Sequence, residues 1–247
     1  MSEFFDPHLV SLVSPGSFEA EQYRTLRHRL ERRRETVPLQ ALALTSASVG
    51  DGKTTTAINL AGALAQSRDG RVLLIDADIR RPAVAAQLGL GDARPPGLVD
   101  AILDPERALE DLVRPLPGLN LSVLAAGRLP DAPYEALKSR RFGELLEKAR
   151  KLYEFVIVDT PPVLPVPDSR LIAHWVDGLI LVVSAHRTPR KLLEETLSQI
   201  DPARLVGLVF NADDRPFSGY SGYYGTYGQP RAGKIDVGAP GLLAGGH

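Results

Sequence analysis

The sequence predicts an α/β protein, a doubly wound sandwich of helices around a mostly parallel sheet. Two observations predict it. Strand candidates such as Phe155 to Val158, Leu179 to Val183 and Val206 to Phe210 are apolar at every position rather than at alternate ones. That is the pattern of strands covered on both faces. The strands also alternate along the chain with helical stretches long enough to act as crossovers, the order that generates βαβ units. In such sheets ligands bind beyond the C-terminal strand ends, so functional side chains are expected there.

The elements follow in order. Residues 17–35 read as a helix opened by Ser17, with Phe18, Leu26 and Leu30 as its apolar points and a run of arginines up to Arg34; Pro38 stops it. Leu39 to Thr45 is a short apolar strand, followed by a loop holding Gly50 and Gly52 and a helix from Thr54 to Gln66. Asp69-Gly70 turns the chain into a strand, Val72 to Ile75. Residues 81–118 carry prolines and short helical pieces, Val99 to Leu103 and Ala108 to Val113, and Leu119 to Leu124 reads as a further strand. Tyr134 to Leu152 is one amphipathic helix, and Pro189 to Ile200 is another between the last two strands. From about Asp213 the chain turns to Tyr, Gly, Ser, Ala and Pro without apolar periodicity, the composition of a flexible tail.

Bulk properties bound the function. A chain of 247 residues with 44% hydrophobic and 24% charged residues suits one α/β domain plus trimmings. The absence of cysteine excludes a disulfide framework, zinc-thiolate ligation and a cysteine nucleophile. A net charge of -1 gives no general attraction to nucleic acid, which is not expected as a partner. The first residues lack the basic start and apolar core of a signal peptide, and apolar runs such as Leu179 to Ala185 are strand-length. Membrane association is therefore expected through a partner.

The chemistry is concentrated in residues 47–54. Ala47-x4-Gly52-Lys53-Thr54 fits the Walker A pattern, with Ala in place of the first Gly, and lies between an apolar strand and a helix. Glycines let such a loop turn its N–H groups toward phosphate oxygens, aided by the helix N-terminus. The nucleotide-binding set is thus Ser48, Val49, Gly50, Asp51, Gly52, Lys53, Thr54 and Thr55. Lys53 is expected to reach the β- and γ-phosphates, and the Thr54 hydroxyl to ligate Mg²⁺. Two further apolar strands end in carboxylates, at Asp76 (followed by Asp78) and at Asp159. Taken singly each is an ordinary turn or cap residue; beside a phosphate loop they suit metal and nucleotide roles.

Together these motifs resemble the bacterial tyrosine kinases that govern capsule and exopolysaccharide export. The resemblance runs from about Ser17 to Asn211. Glu21-Gln-Tyr-Arg24-Thr-Leu-Arg27 is similar to that family's self-association motif, Leu74 to Pro82 to its Walker A′ motif, and Asp159-Thr-Pro-Pro162 to its Walker B motif. Gly127, Pro133 and the run Glu135 to Ser139 resemble the intervening segment, and Asp177 to Val183 and Gly207 to Asn211 the later strands. Val49 stands where the family commonly has proline, and the tail is short.

The resemblance implies a P-loop nucleotide-binding fold like that of partition and division-site ATPases. It also implies an ATP- and Mg²⁺-dependent autokinase. In that reading Lys53, Asp76, Asp78 and Asp159 are catalytic, and Thr54, Asp76 and Asp159 organise the metal. Asp78 positions or deprotonates the acceptor hydroxyl, with Asp76 as the competing candidate. Tyr220, Tyr223, Tyr224 and Tyr227 are the phosphoacceptors; read alone, such a tail is more often an adhesive low-complexity segment. Glu21, Arg24 and Arg27 contact a neighbouring subunit in a ring; read alone, they form a solvated intrahelical salt bridge. Asn211 contacts adenine or is an ordinary turn residue. The domains are an N-terminal segment (1–37), a kinase domain (38–212) and a tyrosine-rich tail (213–247). The form is the split one, a cytoplasmic chain recruited to the inner face of the cell membrane by a membrane-anchored activator and opposed by a cognate phosphatase. The rival is a non-kinase ATPase switch of the partition class. Those proteins carry a second lysine five positions before the loop lysine, and here that position is Ser48.

Overall fold

The computed structural model describes residues 5–67, 70–91 and 96–213. A short helix α1 (Val10–Val13) and a long helix α2 (Phe18–Arg34) precede strand β1 (Ala41–Ser46) and helix α3 (Lys53–Leu64). Then come β2 (Val72–Asp76), the short helices α4 (Val84–Gln87), α5 (Leu98–Leu103) and α6 (Leu109–Leu112), and strands β3 (Arg114–Pro115) and β4 (Leu121–Leu124). Helices α7 (Pro133–Lys138) and α8 (Arg140–Leu152) lead to β5 (Phe155–Asp159) and α9 (Asp168–Ile172). Strand β6 (Gly178–Ser184), helix α10 (Arg190–Ser198), a 3₁₀ turn at Pro202–Arg204 and strand β7 (Leu205–Asn211) close the series.

Among the described residues the sheet runs β3-β4-β2-β5-β1-β6-β7. Every pairing is parallel except the antiparallel contact of β3 with β4. The expected doubly wound architecture is therefore present. Side chains along the central strands alternate between two cores, as the strand period of two requires. Ala41, Ala43, Leu73, Ile75, Val156 and Val158 face the layer of α5 to α9. Leu42, Leu44, Val72, Leu74, Phe155 and Ile157 face α3, with α2 and the segment around Leu9 behind it. Burial on both faces explains why these strands are apolar throughout.

Two readings of the sequence need correction. Tyr134 to Leu152 is two helices, because Ser139 adopts an extended ψ of 145° and its hydroxyl caps α8 by accepting from the Phe142 N–H. Apolar periodicity continues across the break, so the pattern alone hides it. Strand β7 is not covered on both faces: it is the sheet edge, and Leu208 and Phe210 are exposed, the latter by 62%. The helix α4 falls in the stretch expected to hold short helical pieces, and α1, α9 and the two-residue strand β3 are too short for apolar periodicity to mark.

The topology also sets the site. β1, β2 and β5 lie side by side at the centre, and Asp76 and Asp159 are register partners at the ends of adjacent strands. The loop leaving β1 enters α3 directly above them.

Candidate nucleotide site

The phosphate loop owes its shape to two glycines. Gly50 and Gly52 have φ of +88° and +86°, values that strain any residue with a Cβ. Gly52 is also the N-cap of α3, and its carbonyl accepts from the Thr56 N–H at 2.9 Å. The loop is braced from within by the Ser46 hydroxyl, which donates to the Ser48 carbonyl at 2.7 Å. Beside it lies a cleft of about 620 Å³, lined by Val49, Gly52, Lys53, Thr54, Asp78 and the prolines that follow Thr160, among others. Ser48 and Asp51 do not line it, whereas Val49, Gly50, Thr55 and the rest of the expected set do.

Four charged side chains meet beneath the loop, and of these Lys53 and Asp78 line the cleft. The Lys53 Nζ donates to Asp78 Oδ2 at 2.9 Å and stands 3.7 Å from Asp159 Oδ1. The Thr54 hydroxyl donates to Asp159 Oδ2 at 2.6 Å. Asp76 is engaged differently, accepting backbone N–H groups from Asp78 at 3.2 Å, Ala83 at 3.1 Å and Val84 at 3.0 Å. It thus holds the turn after β2 in place.

Burial of so many charges together disfavours the ionised carboxylates. Asp76 is pushed up to about 7, first by burial and then by the neighbouring Asp159 charge. Asp159 is raised to about 6 by burial, which Lys53 and the Thr54 hydroxyl only partly offset. Burial also disfavours the Lys53 charge, but Asp159 and Asp78 outweigh it and hold the ammonium above its ordinary value.

The walls come from more distant segments. Asp168, wholly buried at the start of α9, takes the Arg80 guanidinium through both oxygens, at 2.7 and 3.2 Å. This pair ties the turn after β2 to the proline segment opposite. The Thr55 hydroxyl donates to Gln87 Oε1 at 3.1 Å, linking α3 to α4 at the rim. The sequence reading singled out neither Asp168 nor Gln87.

Known proteins resemble this arrangement closely. The family model described as AAA domain matches residues 40–201. The chain is 34% identical over 221 residues to the tyrosine-protein kinase YwqD of Bacillus subtilis, covering 89% of this chain and 92% of that one. The chain belongs to the bacterial tyrosine-protein kinase family. It is 32% identical to the tyrosine-protein kinase wzc of Salmonella typhi over 87% of its own length, but it spans only 30% of that longer protein. The kinase domain of Escherichia coli tyrosine kinase ETK superposes with a TM-score of 0.77 at 28% identity, covering 88% of this chain and 85% of that one.

Membership of this P-loop family implies nucleotide binding, typically with Mg²⁺, and the residues present fit both. Asp159 Oδ1 is buried without a hydrogen-bond partner next to the Thr54 hydroxyl. The Lys53 ammonium 3.7 Å away offsets its charge without hydrogen-bonding it, which leaves room for a cation or its water to complete that oxygen. Among the described residues no cluster of three or more acidic, histidine or cysteine side chains holds a metal alone. Mg²⁺ uses one or two carboxylates and takes the rest of its shell from phosphates and water.

The other family positions are more mixed. Arg24 pairs with Glu21 as an i,i+3 pair within α2 and donates to the Pro15 carbonyl at 2.6 Å. Arg27 donates to Glu31 at 2.7 Å and to the Ala63 carbonyl at the end of α3 at 3.0 Å. Both arginines therefore have partners inside the chain. Asn211 ends β7, and its amide donates to the Asp51 carbonyl at 3.1 Å, which places it against the phosphate loop. Tyr220, Tyr223, Tyr224 and Tyr227 lie outside the described residues, as does all but the first residue of the tail assigned to 213–247. No helix among the described residues is long and apolar enough to cross a membrane.

Proposed function

We propose that this chain is an ATP-dependent protein-tyrosine autokinase that phosphorylates Tyr220, Tyr223, Tyr224 and Tyr227 and thereby regulates polysaccharide synthesis and export. The observation that carries the reading is the placement of Lys53 between Asp78 and Asp159 at the mouth of a loop shaped for phosphates.

In this reading Lys53 exchanges Asp78 for phosphate oxygens when ATP enters, which frees the Asp78 carboxylate on the cleft wall. A tyrosine hydroxyl has a pKa near 10 and needs such a carboxylate to attack at neutral pH. Its oxygen forms the new bond to the γ-phosphorus while the bond from that phosphorus to the bridging oxygen breaks, releasing ADP. The phenolic proton passes to Asp78. Asp78 is preferred to Asp76 because it lines the cleft, whereas the Asp76 oxygens already accept three backbone N–H groups. Mg²⁺, held by Thr54 and Asp159 with Asp76 behind them, would supply neutralisation of the phosphate charge. Lys53 and the loop N–H groups orient the γ-phosphoryl group, and the residues after Thr160 exclude water from one side.

The remaining assignments rest on family resemblance: a ring built through Glu21, Arg24 and Arg27, a membrane-anchored activator, a cognate phosphatase, and a cytoplasmic chain held at the inner membrane face. Phosphates on adjacent tails add nearly two charges each and would loosen such a ring.

The test is incubation with Mg-ATP, alone and with a candidate activator fragment, followed by phosphosite mapping by mass spectrometry. Phosphotyrosine at the four tail positions, absent in Lys53→Met, is the expected result. ATP hydrolysis without phosphotyrosine in the presence of the genuine activator would identify a partition-type switch instead. Mass measurement of the wild type and of a triple variant combining Glu21→Ala, Arg24→Ala and Arg27→Ala tests the ring, which is wrong if the two have the same assembly mass.

A further inference from the structure

The phosphate loop contains an anion that ought to oppose the ligand. Asp51 sits between Gly50 and Gly52, both of which line the cleft, yet Asp51 does not. Its side chain is buried, and no cation among the described residues pairs with it. Both oxygens are held by neutral donors: Oδ2 accepts from the Ser48 N–H at 2.9 Å, and Oδ1 from the Thr188 hydroxyl at 2.9 Å.

Thr188 is suited to hold it. Its hydroxyl accepts from the Ser184 N–H at 3.0 Å, so the same oxygen is anchored to the end of β6 while it donates to Asp51. The turn behind it is closed by the Arg187 and Thr188 N–H groups, both donating to the Ser184 carbonyl. Asn211 grips the same loop residue from β7 through the Asp51 carbonyl. A Cβ on Gly52 would stand 2.0 Å from Asn211 Nδ2, a measure of how tightly the loop is held. The two non-glycine residues with positive φ among those described, His186 at 59° and Ala212 at 57°, lie in these same two anchoring loops. Strained backbone of this kind persists where the surroundings fix a geometry.

We propose that Thr188 is a positioning residue for nucleotide binding: its hydroxyl keeps the Asp51 carboxylate turned out of the phosphate cradle. Without it, a buried carboxylate loses one of two donors and turns toward the cleft, where its charge repels the phosphates. The inference rests on the reading that this loop holds ATP.

The test is titration of the full chain with a fluorescent ATP analogue in the presence of Mg²⁺. Thr188→Val, which keeps shape and removes the hydroxyl, is expected to weaken binding roughly tenfold or more, as loss of a hydrogen bond to a charged group does. Thr188→Ser should bind within about threefold of the wild type, since the donor is retained. Adding Asp51→Asn to Thr188→Val should recover most of the lost affinity, because the repelling charge is gone. A merely structural threonine would not give that recovery. The proposal is overturned if Thr188→Val binds like the wild type, or if the double variant binds as weakly as Thr188→Val alone. Thermal melts report the fold, and Thr188→Ala carries the same expectation should the valine variant not fold. A wild-type chain that binds no ATP removes the functional reading itself and is recognised before any variant is compared.

Discussion

The two rims of the sheet hold their carboxylates in opposite ways. At the N-terminal rim, Asp177 receives both arms of the Arg150 guanidinium at 2.7 and 2.9 Å, and the N–H groups of Gln40 and Ala41 at 2.7 and 2.8 Å. Burial alone would raise its pKa, but Arg150 and those N–H groups hold it below the usual carboxylate range. At the C-terminal rim, Asp78 and Asp159 share Lys53, and Asp76 and Asp159 are raised. A carboxylate used as a fastener is given its full complement of donors. At the C-terminal rim Asp76 also has three backbone N–H donors, but Asp159 Oδ1 has no hydrogen bond and only the Lys53 ammonium 3.7 Å away, so its burial is incompletely offset.

Lys53→Met tests the C-terminal rim most severely. It removes the cation that two carboxylates share and the group aimed at the phosphates. Transfer to tyrosine is expected to fall at least ~100-fold, the scale seen when a transition-state donor is removed, measured as phosphotyrosine formed per unit time. Asp159→Asn should also abolish transfer while raising the melting temperature of the nucleotide-free protein, since it discharges a group whose burial Lys53 and the Thr54 hydroxyl only partly offset. A lower melting temperature would mean that this rim is fastened like the other.

The two rims should also respond to pH with opposite signs. A carboxylate raised in the folded state stays protonated where the unfolded chain has already ionised, between about pH 4 and 7. Asp76 and Asp159 therefore withdraw stability as pH rises through that window, and Asp159→Asn should flatten this component in melts without nucleotide. Asp177 is lowered in the folded state, so its contribution is present above the ordinary aspartate pKa and is lost as pH falls through the folded value. Asp177→Ala should cost about 2 kcal/mol, lose its effect at low pH, and leave ATP affinity unchanged. An equal loss of affinity would show that the rims are coupled.

How much of this was legible follows from where partners lie along the chain. The phosphate loop is written in consecutive residues, and Asp76 and Asp159 each end an apolar run, so local pattern finds them. Asp51 and Thr188 are 137 positions apart, Arg80 and Asp168 are 88, and Gln40 and Asp177 are 137. No local pattern joins such pairs; only the strand order brings them together. The edge position of β7 was hidden for a related reason, because composition reports apolarity and not how many neighbours a strand has. The break at Ser139 was hidden because Leu137 and Phe142 are both wholly buried on either side of it, so periodicity runs on while the backbone does not.

The smallest expected effect separates charge from shape at the N-terminal rim. Arg150→Lys keeps the cation beside Asp177 but loses the planar fork and the donation to the Trp175 carbonyl at 3.2 Å. If charge alone fastens this rim, stability by denaturant titration should be unchanged. If the fork matters, as the two-armed geometry implies, the variant should lose about 1 kcal/mol with ATP affinity intact. The equivalent exchange at the other rim, Lys53→Arg, also conserves charge, yet it places a broad planar group where a compact ammonium fits among Asp78, Asp159 and Thr54. It should therefore abolish transfer. Conserved charge with a mild cost at one rim and a complete loss at the other would mean that the fastener tolerates a change of shape and the phosphate site does not.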